Sequence, residues 1–194
     1  MDIGQSQGRN RLNFSFLVKE KFAFLEGLGF QEAGVEDTLI TYRKGDTEVD
    51  IYHGRQSYEI GFGVTYRNTR FSLGEIIRAE DPVAAERYRS FATTTQEHLI
   101  QGLGQLVVLV KRYCVQALRE EQKFFIELER RRKLWREEYA LDVLERQLRP
   151  KAAEAFQQGN FATAVELYEQ IASRLSPAES KKLDFARARS EGRK

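Results

Sequence analysis

The chain has 194 residues, enough for one mid-sized domain or two small ones, and its 41% hydrophobic and 11% aromatic content supports a packed core rather than disorder. Thirty-one basic residues against 29 acidic ones leave a formal net charge of +2, so bulk charge selects neither nucleic acid nor an anionic membrane as partner. A single cysteine, Cys114, excludes an internal disulfide and two-cysteine zinc sites, and two histidines, His53 and His98, are too few for most histidine metal centres.

The first ten residues are polar, without the apolar run of a signal peptide. The most apolar stretch, Leu99 to Val110, is interrupted by Gln101 and Gln105 and is too short to span a bilayer core of about 30 Å. A soluble cytoplasmic chain with no membrane partner is the expectation. Residues 1–10 read as a flexible tail. After them Phe14, Leu17, Val18, Phe22, Leu25 and Leu28 recur at steps of three and four, forming one face of a helix that Gly29 closes. The period then shortens to two. Thr38 to Tyr42, Thr47 to His53 and Ser57 to Tyr66 read as three strands, with turns at Lys44-Gly45-Asp46 and His53-Gly54-Arg55-Gln56. In the third strand Tyr58, Ile60, Phe62, Val64 and Tyr66 alternate without a break.

Helices follow. Ser72 with Glu75 fits a capping box, and Asp81-Pro82 fits an N-cap and first helical position. Thr94 with Glu97 opens a longer helix whose stripe of Leu99, Leu103, Leu106, Val110, Tyr113 and Ala117 would cover the sheet. Gly102 and Gly104 each weaken that helix by roughly 1 kcal/mol against alanine, and close packing on the strands is the reading for both. Arg119 to Arg149 forms a charged helix, and Pro150 marks a break. Ala152 to Gln157 and Thr163 to Leu175 are helical around Gln158-Gly159-Asn160, and Glu179 to Arg189 adds one more helix after Pro177. The fold class is therefore α+β: a three-stranded antiparallel meander packed by helices over 11–118, a connecting helix over 119–149, and a helical hairpin over 150–190.

The pattern Ala152-x3-Phe156-x2-Gly159-Asn160-Phe161-x2-Ala164-Val165-x2-Tyr168-x2-Ile171 resembles one tetratricopeptide repeat. Gly159 suits the tight inter-helix turn, Ala164 the close helix approach, and Phe156, Phe161 and Tyr168 the space between. The early Trp and Leu-Gly positions of that family are missing, and Pro177 stands one residue late. About forty residues are covered, and a lone repeat must lean on other helices to bury its apolar face. The N-terminal part is similar to a loose group of bacterial immunity-type proteins. The likeness rests on Phe24-Leu25-x2-Leu28-Gly29-Phe30, Tyr42-x6-Val49-x-Ile51-Tyr52, Ser57-Tyr58-Glu59-Ile60 and Phe71-Ser72-Leu73. That resemblance implies a toxin-binding role without catalysis, and it assigns no residue roles.

No motif marks a catalytic residue, a cofactor or a metal. Asp50 and Glu59 on consecutive strands invite comparison with a metal-dependent nuclease core, but Gly61 stands where that core carries lysine. Asp46, Glu48 and Asp50 read as a solvated strand face rather than a cation site. His53 reads as a turn histidine, His98 as a solvent-facing one, and Cys114 as a buried, inert thiol.

Arg130-Arg131-Arg132-Lys133, near Trp135 and Tyr139, offers phosphate and base contacts. Across Arg119 to Arg149, however, nine basic residues meet eight acidic ones, so a salt-laced exposed helix is the better reading. The sheet and its helices leave Phe124, Phe125, Trp135 and Tyr139 in need of partners, which Phe156, Phe161 and Tyr168 of the hairpin would supply in part. The function expected is non-enzymatic binding of another protein, as in a toxin-neutralising immunity factor, or of a second copy of this chain. Trp135 and Tyr139 are the expected anchors, with Arg131 and Arg132 as rim charges. A nucleic-acid accessory protein and a divergent nuclease are the alternatives.

Overall fold

The computed structural model describes residues 12–191, so the tail expected over 1–10 lies outside the described residues. The chain divides into two compact units, Met1–Arg131 and Arg132–Lys194. The division falls inside a helix.

In the first unit, α1 (Phe14–Lys21) and α2 (Phe24–Gly27) replace the single helix that the periodicity predicts. Phe22 leaves helical geometry at φ −102° and ψ 12°, while Phe22 and Leu25 both enter the core. Gly29 then turns the chain at φ 88°. Five strands follow as an antiparallel meander: β1 (Gln31–Glu36), β2 (Leu39–Lys44), β3 (Thr47–His53), β4 (Glu59–Tyr66) and β5 (Thr69–Ser72). A sixth, β6 (Phe91–Ala92), pairs with the start of β4 at Glu59 and Ile60. The architecture is α+β, with a longer sheet than three strands. Every residue of β1 is exposed, so its sequence carries no alternation, and β5 and β6 are too short to show a period.

Between β5 and β6 lie α3 (Leu73–Glu80), opened by the Ser72–Glu75 capping box, and α4 (Pro82–Arg87), capped by Asp81. Next come α5 (Gln96–Tyr113), which Thr95 caps in place of Thr94, and the short α6 (Val115–Leu118). Register places Tyr42 opposite Val49 and Val49 opposite Val64, and Ile40, Ile51 and Phe62 likewise share a row. These residues form the buried face of the sheet. Each large apolar side chain buried there contributes about 1.5–3 kcal/mol. Helix α5 approaches that face closely at Gly102, where a methyl group would stand 2.7 Å from Ile60 Cδ1. Gly104 meets nothing within 4 Å, so close packing does not account for it.

The helix α7 (Gln122–Gln157) completes the first core with its opening turns. The Phe125 ring stacks on Tyr66 at 4.2 Å and tilts against Phe71 at 6.0 Å, with Phe124 edge-on at 5.6 Å. Phe124 and Phe125 thus find their partners on the sheet rather than in the hairpin.

The second unit holds the rest of α7, α8 (Phe161–Gln170), a 3₁₀ turn at Ala172–Arg174, and α9 (Pro177–Glu191). Helix α7 continues through Pro150, where a break is predicted. Buried Ala152 and Ala155 continue its packed face against Ala164, Tyr168 and Ile171, and that burial opposes the proline's lost hydrogen bond. Gly159 makes the next turn at φ 73°, and Asn160 caps α8 by accepting the Thr163 N–H at 3.4 Å. Pro177 opens α9 behind a Ser176–Glu179 capping box. Arg149 braces the unit, reaching Glu145 at 3.2 Å, Glu179 at 3.1 Å and the Arg174 carbonyl at 2.6 Å. No helix among the described residues is long and apolar enough to cross a membrane.

Candidate functional site

The four residues expected to bind a partner have different fates. Arg131 belongs to the first unit and is engaged: it pairs with Glu127 at 2.8 Å and donates to the Ala79 carbonyl at the end of α3. Arg130 shares the same carboxylate at 2.8 Å. Hydrogen bonds from Arg130 and then Arg131 hold the Glu127 carboxyl down at about 2. The centre of the basic run is thereby paired within the chain. Arg132, Trp135 and Tyr139 belong to the second unit. Trp135 is half-buried, whereas Tyr139 is 70% exposed one helical turn further on. Of the four, Tyr139 best fits a contact residue.

The carboxylates of the β2–β3 turn and of β3 are matched by arginines. Asp46 pairs with Arg67 at 3.1 Å, Glu48 with Arg43 at 2.6 Å, and Asp50 with Arg70 through both oxygens at 2.9 and 2.6 Å. Asp50 is buried, not solvated, because Gly63 beneath it leaves room for the Arg70 fork. Tyr52 lies likewise over Gly61, and burial raises its phenol pKa, with Glu59 adding to the shift. Asp50 faces Gly63 across the ladder, while the Gly54 N–H donates to the Glu59 carbonyl at 2.7 Å. Asp50 and Glu59 therefore stand about four residues apart along the strands, roughly 13 Å, too far to share one divalent ion. No group of three or more His, Cys, Asp or Glu among the described residues is arranged to hold a metal.

The histidines also separate. His98 is exposed at the start of α5. His53 is not a turn residue at the surface: it is buried at the end of β3, hydrogen-bonded through Nε2 to the Thr93 carbonyl at 2.8 Å and stacked with Phe14 at 6.0 Å. Cys114 is buried as expected, and desolvation pushes its thiol well above the ordinary range.

A different surface combines exposed apolar side chains with a recess. Leu28, just past the C-terminal end of α2, and Val115, at the start of α6, are both exposed, at 42% and 39%. Together with Phe24 and the buried Leu118 they line a groove of about 240 Å³, walled by Lys111 and Arg119. Lys111 Nζ stands 4.7 Å from the Phe24 ring centroid, a cation–π contact that holds one charge at the rim. The neighbouring Glu120 is occupied by Lys44 at 3.6 Å. Sequence periodicity puts Leu28 on the apolar face of the first helix and leaves Phe24 off it, whereas in the structure Leu28 is exposed and Phe24 half-buried. Compared with protein-family models, with curated proteins and with solved structures, the chain shows no match.

Proposed function

We propose that this chain is a non-enzymatic protein-binding protein, and that the groove of Phe24, Leu28, Val115 and Leu118 receives an amphipathic segment of its partner. The observation that carries this reading is the pairing of an apolar recess with a rim whose two charges are both cationic. No described carboxylate forms a salt bridge with Lys111 or Arg119, so apolar anchors flanked by Asp or Glu suit the groove best. The tetratricopeptide-like pattern of the second unit and the immunity-type pattern of the first both belong to proteins that act by binding. A toxin is accordingly the class of partner to try first, and Tyr139 offers a second contact surface.

The test is a pull-down from native lysate with three full-length baits: wild type, Leu28→Glu with Val115→Glu, and Trp135→Ala with Tyr139→Ala. The reading expects one stoichiometric protein that the groove variant loses and the α7 variant keeps. Loss with the α7 variant alone moves the site to Trp135 and Tyr139. A stoichiometric protein retained by both variants, or none with wild type, contradicts the proposal. Circular dichroism of all three baits separates binding loss from unfolding.

A further inference from the structure

A second recess in the first unit has different chemistry. It encloses about 460 Å³, within the roughly 300–1,000 Å³ of small-molecule sites. Its apolar floor comes from Ile77 of α3, Phe91 of β6 and Leu109 of α5. Three guanidinium groups, Arg87, Arg89 and Arg112, stand around that floor, and no carboxylate lines the recess. None of the three has an ion pair with a described Asp or Glu. Arg89 is oriented by its own segment, donating from Nη1 to the carbonyls of Glu86 at 2.8 Å and Tyr88 at 2.7 Å. Arg112 lies over the Tyr113 ring at 5.0 Å. The nearby carboxylate, Asp81, is committed elsewhere: it caps α4 through the Ala84 N–H at 2.9 Å and accepts the Tyr113 hydroxyl at 3.5 Å. Tyr88 also lines the recess. Burial, with smaller contributions from Tyr52 and Glu59, pushes its phenol up to about 12, so it stays a hydrogen-bond donor at neutral pH.

We infer that this recess is a binding site for a small amphipathic anion, one whose apolar body rests on Ile77, Phe91 and Leu109 while a carboxylate, sulfonate or phosphate meets the arginines. Three unmatched cations at an apolar recess repel one another, and an anion relieves that repulsion. The planar guanidinium forks suit a two-oxygen head group. A neutral apolar molecule gains only the floor. The site is separate from the protein-binding groove: the two share α5 but no lining residue.

The experiment is a fluorescence titration of the full chain with 8-anilinonaphthalene-1-sulfonate, alongside its neutral counterpart N-phenyl-1-naphthylamine. Wild type is expected to bind the sulfonate saturably at one site. The exposed pair Arg87→Gln with Arg112→Gln should weaken that binding about tenfold or more, with the neutral dye unchanged within about twofold. Ala84→Trp, which fills the recess, should remove both dyes. If Ala84→Trp fails to fold, the arginine variant alone decides. Absence of saturable binding, or an arginine variant that leaves sulfonate binding undiminished or loses both dyes equally, would overturn the inference.

Discussion

Two glycines of α5 show how much a single position depends on what lies opposite it. Gly102 faces the buried Ile60 and Phe91, at 2.7 and 3.4 Å from where a Cβ would stand, whereas Gly104 has open space. Both substitutions gain helix propensity, roughly 1 kcal/mol relative to glycine. Gly104→Ala should therefore stabilise the chain by about 0.5–1 kcal/mol, while at Gly102 overpacking of about 1–3 kcal/mol outweighs that gain. Urea unfolding of the two variants checks the opposite signs. Glu127 gives a pH signature. Its carboxyl is held at about 2 in the folded chain against an ordinary 4.5, so its contribution is present above pH 4.5 and fades as pH falls toward 2. Melting temperatures between pH 2 and 6 should fall less steeply for Glu127→Gln than for wild type; parallel curves would refute the linkage. At this scale the sequence was only partly legible. His53 reads as a turn histidine because its hydrogen-bond partner, the Thr93 carbonyl, lies forty residues away, which no local spacing reveals. Asp50 carried the same concealment, since its partner Arg70 arrives from β5.

Elements were read best where a turn or cap residue announces them. The Ser72–Glu75 box, Asp81-Pro82, and the turns at Gly45 and Gly159 all stand where their chemistry places them. Ser72→Ala should cost about 1 kcal/mol by leaving the first turn of α3 uncapped, measurable as a lowered urea midpoint. Elements without such signals were missed: β1 has no buried residue, and β6 has two residues. Proline misled in the opposite direction. Pro150 lies inside α7 because alanines on the following turns pack into the second core. Restoring the missing backbone donor with Pro150→Ala should raise stability by about 1–3 kcal/mol and increase helical ellipticity. A loss of stability would show that the packing requires the distortion that proline imposes.

At the scale of the molecule, both recesses are built from segments far apart in sequence, which is why neither was legible from motifs. The groove at Leu28 and Val115 needs α2 beside the α5–α6 junction, and the arginine-rimmed recess needs α3, α4, β6 and α5 together. What the sequence did convey was a supply of aromatic side chains. The structure locates the aromatics: Phe124 and Phe125 complete the sheet core, and Phe156 and Phe161 meet Phe185 at 5.9 and 5.7 Å in the second unit. Exposed apolar side chains then lie at Leu28 and Val115 in the first unit and at Tyr139 in the second. The measurement that tests the central claim most directly is site-specific photocrosslinking in native lysate, with p-benzoylphenylalanine placed at position 28 and, in a parallel sample, at position 139. The account predicts a discrete adduct from position 28 that Val115→Glu abolishes. No adduct from position 28, or one from position 139 alone, would contradict it.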